Sequence, residues 1–110
     1  MDLAEYFERT KGFGIFATAD SDGKVNVAAL SRPTIMEDGR AAFLMSGHLT
    51  YHNLQSNPQA AYYFVEHEGS YGGKRLYLTK TGEDQDMQLV DKLRKKRYPI
   101  FTTKYNNESN

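Results

Sequence analysis

The chain has 110 residues and a mean hydropathy of −0.69, with fourteen basic side chains set against fourteen acidic ones. That length holds one domain able to bury about two-thirds of its unfolded surface. The balanced charge leaves no whole-protein field to draw it to nucleic acid or to a membrane surface. Eight Tyr and six Phe argue against disorder, and the lack of cysteine excludes disulfides and thiol chemistry. No eighteen apolar residues run together, and Asp2, Glu5, Glu8 and Arg9 break any signal-peptide core. A soluble, cytoplasmic protein is expected.

Asp2 is placed to cap a helix running to residue 10, with Glu5 completing a capping-box-like pair and Leu3, Tyr6 and Phe7 forming its apolar stripe. Gly12 and Gly14 end it, and residues 13–19 are apolar and β-branched enough for a strand. Ser21-Asp22-Gly23 makes a tight turn, after which Val25, Val27 and Ala29 alternate down a second strand. Pro33 marks an edge or bend, and Asp38-Gly39 is the next hairpin signal. A third strand spans residues 41–46 and passes through Gly47 into a short polar helix that opens His48-Leu49-Thr50. Such a helix start carries unpaired backbone N–H groups and the positive end of the dipole, and phosphate is the usual occupant.

Asn57-Pro58 stops that helix. Residues 60–66 form a fourth strand with Tyr62 and Phe64 on one face and Tyr63 and Val65 on the other, so both faces are expected to be covered. A Gly-rich loop over residues 67–73 leads to a fifth strand at 74–81. Glu83 or Asp84 then caps a last helix whose buried stripe is Met87, Val90 and Leu93. The basic run Lys92, Arg94, Lys95, Lys96 and Arg97 complements the dipole at that helix's end. From Thr102 onward the chain reads as too polar for a core strand. Five short antiparallel strands with terminal helices define a small α+β barrel.

Two other patterns carry no site. His48 and His52 have metal-ligand spacing, but the Glu of a His-Glu-x-x-His site and a third ligand are missing, so no metal is expected. Gly69 to Lys74 is one residue short of a Walker loop, is followed by Arg75, and precedes a strand.

Gly14-Ile15-Phe16-Ala17-Thr18-Ala19, Asp22-Gly23, residues 25–30, Phe43-Leu44-Met45 and His48-Leu49-Thr50-Tyr51-His52-Asn53-Leu54 with Asn57-Pro58, in this order and spacing, resemble the FMN-binding split β-barrel family. That family includes pyridoxamine 5′-phosphate oxidase. The resemblance covers about residues 6–98 and implies an antiparallel split barrel of five to six strands with flanking helices; relatives continue after the last helix into another apolar strand, whereas here residues 99–110 read as a polar tail. It implies FMN as cofactor. Ala28, Ala29, Leu30, Ser31 and Arg32 would lie along the flavin ring, and Leu44, Met45 and Ser46 would flank the ring and ribityl chain. His48, Leu49, Thr50 and Asn53 would hold the phosphate. Relatives carry a basic residue near Leu49 or Thr50; here Arg32, His48 or Lys74 would supply the charge.

The resemblance further implies a homodimer with the cofactor at its interface and a small-molecule redox partner, served by electron or hydride transfer. The Arg and His that bind substrate near the C-terminus of pyridoxal-forming oxidases have no counterpart, so that activity is not expected, and no residue stands out as a general acid or base. The alternative readings are a non-enzymatic module binding flavin or haem, and a purely structural dimer.

Overall fold

The computed structural model describes residues 2–46, 49–67, 72–83, 96–97 and 99–106. Asp2 caps α1 (Leu3–Arg9), its Oδ1 accepting the Glu5 N–H at 2.9 Å. Strand β1 (Gly12–Ala19) turns back into β2 (Val25–Leu30), with Gly14 opposite Leu30 and Ala19 opposite Val25. Short strands β3 (Thr34–Ile35), β4 (Ala41–Ala42) and β5 (Met45–Ser46) lead to α2 (Leu49–Ser56). Two long strands, β6 (Gln59–Glu66) and β7 (Gly73–Glu83), follow, then β8 (Lys96–Arg97) and β9 (Pro99–Asn106). The main antiparallel sheet runs β2-β1-β6-β7-β9-β4-β3, and β5 pairs with β8 in a second, two-stranded sheet. This is a curled, split barrel with two described helices, the α+β class expected. Among the described residues no helix is long and apolar enough to cross a membrane.

Alternation decides what the curled sheet encloses. Phe16 and Thr18 on β1, Tyr62 and Phe64 on β6, Leu76 and Leu78 on β7, and Phe101 on β9 all face inward and are buried. Phe43 joins them, and the rings of Phe16, Phe43, Tyr62 and Phe101 meet edge-on or tilted at centroid distances of 4.8 to 6.2 Å. Tyr62 lies across Gly14, where an added Cβ would fall 2.1 Å from the ring. Its hydroxyl donates toward the carbonyls of Leu30 and Ser31 at 3.3 and 3.2 Å, tying the exit of β2 to the core. Burial pushes that phenol well above its usual range, which keeps it a donor.

Helix α2 docks on the barrel through polar contacts as well as Leu54. Asn53 is buried and gives its amide to Thr18 Oγ1 at 3.1 Å, while Asn26 gives its own to Thr50 Oγ1 at 3.2 Å. On the far side Tyr51 donates to Glu83 Oε1 at 2.7 Å, and the same oxygen takes Lys80 Nζ at 2.9 Å.

Three expectations are corrected. The stretch from residue 99 is no tail: Pro99–Asn106 pairs with β7 on one side and β4 on the other. Pro99, Ile100 and Phe101 are buried there. Ile100 and Phe101 pair on both sides, and the polar Thr102–Asn106 continue the strand against β7 alone, since backbone pairing needs no apolar side chain. The third strand divides into β4 and β5, which join different sheets. Lys96 and Arg97, expected at the end of the last helix, lie in β8; Glu83 is the last residue of β7. The rest of the expected last helix, with Met87, Val90 and Leu93, falls outside the described residues.

Four variants test this architecture by thermal unfolding. Gly14→Ala displaces the Tyr62 ring and is expected to cost about 2–3 kcal/mol. Asn53→Ala leaves the buried Thr18 hydroxyl unpaired, for a loss of about 1–3 kcal/mol, whereas Asn53→Leu combined with Thr18→Val costs less than the sum of the two single changes. Deleting residues 99–110 strips a strand from inside the sheet, and the expected result is a chain with no cooperative melt.

Candidate functional site

One corner of the barrel gathers polar groups around an opening. The turn between β1 and β2 is fixed by Asp20, whose Oδ1 accepts the N–H groups of Asp22 and Lys24, each at 2.9 Å. Gly23 takes the left-handed conformation (φ 84°) that this turn needs. Close by, the Asn26–Thr50 bond holds the first turn of α2 against the start of β2. Between them lies a cleft of about 140 Å³ lined by Asp20, Lys24, Val25, Asn26, Leu49 and Asn53. A water occupies about 30 Å³ of liquid, so the cleft takes a headgroup the size of phosphate; sites enclosing a whole cofactor begin near 300 Å³. The remainder of a flavin-sized ligand would extend over the neighbouring surface.

The donor chemistry fits an anion. Asn26 uses one of its two amide protons on Thr50, and the cationic residue Lys24 is among those that line the cleft. Asp20 is the opposing charge, but its Oδ1 already receives two backbone N–H groups. A larger cleft, about 530 Å³, lies between α1 and the β3–β4 hairpin. It is bordered by Asp2 and Glu37 beside Leu3, Ile35 and Met36, which is the wrong charge for phosphate.

The expected site residues divide into groups. Leu49 and Asn53 line the small cleft. Thr50 is 8 % exposed and its oxygen accepts the Asn26 amide, so it positions Asn26 and stands behind the cleft wall. His48 lies outside the described residues. Ala28 and Leu30 face inward from β2, Leu30 against the core, while Ala29 points out and is exposed. Ser31 is exposed, with its carbonyl held by Tyr62. Leu44 is half-buried, Met45 belongs to the core, and Ser46 pairs through its backbone with Lys96.

Arg32 and Lys74 do not reach the cleft. Arg32 Nη1 donates to the carbonyls of Phe7 and Thr10 at 2.8 and 2.9 Å, closing the C-terminal end of α1. Its place six residues beyond Asn26, at about 3.3 Å per residue, puts it roughly 20 Å away along the strand direction. Lys74 sits at that same end, with Nζ 4.8 Å from the Tyr6 ring centroid. Sequence reasoning passed over Lys24, Asn26 and Asp20 because it followed β2 to its exit and not its start. The available signal was Thr18 and Asn26, two polar residues directly opposed on the inward face of an otherwise apolar hairpin.

Outside the barrel, β2, β1, β6 and β7 present a second feature. Val27, Ala17, Ala61 and Tyr77 align across the four strands, and Ala29, Ile15, Tyr63 and Arg75 form the next row. Val25 and Val27 are 79 % and 66 % exposed on the edge strand, and Phe13 and Tyr77 are exposed as well. The outer face is thus largely apolar, with Arg75 as the charged residue in these two rows.

No family model matches the sequence, and no curated protein matches it. Solved structures do. The chain is similar to an F420 reductase with a TM-score of 0.76 at 13% identity, over 98% of this chain and 99% of that one. An FMN-binding protein from Syntrophomonas wolfei subsp. wolfei aligns with a TM-score of 0.72 at 16% identity, covering 93% and 80% of the two chains. The haem storage protein HutZ from Vibrio cholerae aligns at 0.62 and 20% identity, covering 94% and 87%. The chain therefore has the FMN-binding split β-barrel fold of pyridoxamine 5′-phosphate oxidase-like proteins.

Proposed function

We propose that this protein is a homodimeric FMN-binding flavoprotein acting in electron or hydride transfer with a small-molecule redox partner, and not a pyridoxamine-phosphate oxidase. The observation that carries the reading is the anion-fitting cleft between the β1–β2 turn and α2, set at the start of an edge strand whose outer face is apolar. FMN joins a phosphate to a planar apolar ring, and these two surfaces match its two parts.

The bound flavin would supply the redox chemistry. Lys24 and Asn26 would hold its phosphate, with Thr50 orienting Asn26. The exit of β2, fixed by the Tyr62 hydroxyl on Leu30 and Ser31, offers the ring a rigid wall. A second copy laid on the outer face would cover Val25, Val27 and Tyr77 and exclude water from that wall. Both copies would then contribute to each site. The fold likeness to proteins that bind FMN or haem supports a planar ligand, and the phosphate-sized cleft favours FMN between them.

Titration with FMN, followed by flavin fluorescence and visible absorption, should give saturable binding and a yellow, not red, holoprotein. The expected mass in solution is twice the 12.5 kDa of the chain. Val27→Lys should yield monomer and weaken FMN binding together. A wild-type monomer, or a chain that takes up haem and ignores FMN, would overturn the reading.

A further inference from the structure

We infer that Lys24 is the cation that recognises the ligand's phosphate, so that the β1–β2 turn is a specificity element selecting a phosphorylated flavin over the bare one. The inference rests on the flavin reading above and assigns a residue role within that site. Among the described residues Lys24 is the cation on the wall of the small cleft. Of the other candidates, Arg32 closes α1 through Phe7 and Thr10 and Lys74 lies over Tyr6, while His48 lies outside the described residues.

The turn is built to hold Lys24 in place. Its N–H is bound by Asp20 Oδ1 at 2.9 Å, and its carbonyl accepts the Asp20 N–H at 2.9 Å. Both backbone groups of Lys24 are thus fixed by one residue, which leaves only the side chain to search for its partner. Asn26, two residues on, is held by Thr50, keeps a second amide proton free of that bond and lines the same cleft. A lysine and an asparagine lining a space of about 140 Å³ suit a phosphate monoester. A neutral ribityl hydroxyl would leave the charge without a partner. Asp20, the one acid on the wall, discourages a second anion and keeps the unliganded cleft near neutral.

The test compares FMN with riboflavin, which lacks only the phosphate, by fluorescence titration of flavin-free wild-type, Lys24→Met and Lys24→Arg proteins. Lys24 is exposed, so the thermal midpoint of Lys24→Met should stay that of wild type. Lys24→Met is expected to weaken FMN roughly three- to tenfold and leave riboflavin unchanged. Lys24→Arg restores FMN, and added salt shrinks the difference. Unchanged FMN affinity in Lys24→Met, with wild type binding FMN, overturns the role of Lys24 and leaves the flavin reading standing. Equal weakening of both flavins also overturns it, since the effect would then not lie at the phosphate. A wild type that binds neither flavin overturns the flavin reading, and the inference with it.

Discussion

Four rings from four distant stretches of the chain hold this barrel in its curl. Phe16 comes from β1, Phe43 from the segment after β4, Tyr62 from β6 and Phe101 from β9, and all four are fully buried. Edge-on contacts near 5 Å let aromatic rings add favourable quadrupole interaction to the area they bury. Because one ring belongs to the last described strand and another to the first, the sheet can close on them only once both ends of the sheet-forming chain are in place. The cluster is therefore both the core and the long-range constraint that fixes which strands become neighbours.

Tyr62 extends that constraint to the outside. Its ring crosses beneath Gly14 and its hydroxyl meets two carbonyls at the exit of β2. The strand proposed to wall the flavin is thus pinned from within at one end. At its other end Asn26 is pinned by Thr50, itself carried on a helix whose Asn53 is bonded to Thr18. A site on an edge strand would ordinarily flex, since one side of its backbone has no partner. Here polar contacts at both ends replace the missing neighbour.

The two faces of the hairpin divide the labour. Inward positions hold Phe16, Thr18, Asn26 and Leu30, which pack or bond with the barrel and α2. Outward positions hold Ile15, Ala17, Val25, Val27 and Ala29, which the single chain leaves partly or largely exposed. This is the face that the proposed second copy would cover.

Much of this was legible in the order of residues. The helix cap at Asp2, the turn at Asp22-Gly23, the alternation along residues 60–66 and the resemblance to a split barrel follow from spacing and turn chemistry, which act over a few residues and so are written locally. What only the tertiary structure decided was the neighbourhood of each element. Thr102 and its polar successors extend a strand because β7 offers them backbone partners, a fact no local pattern encodes. Arg32 and Lys74 look like phosphate cations until the antiparallel register carries them to the α1 end, and Lys24 looks like an ordinary turn residue until α2 folds beside it. Charge and hydrogen-bonding capacity belong to a residue by itself; the distance to a partner belongs to the fold.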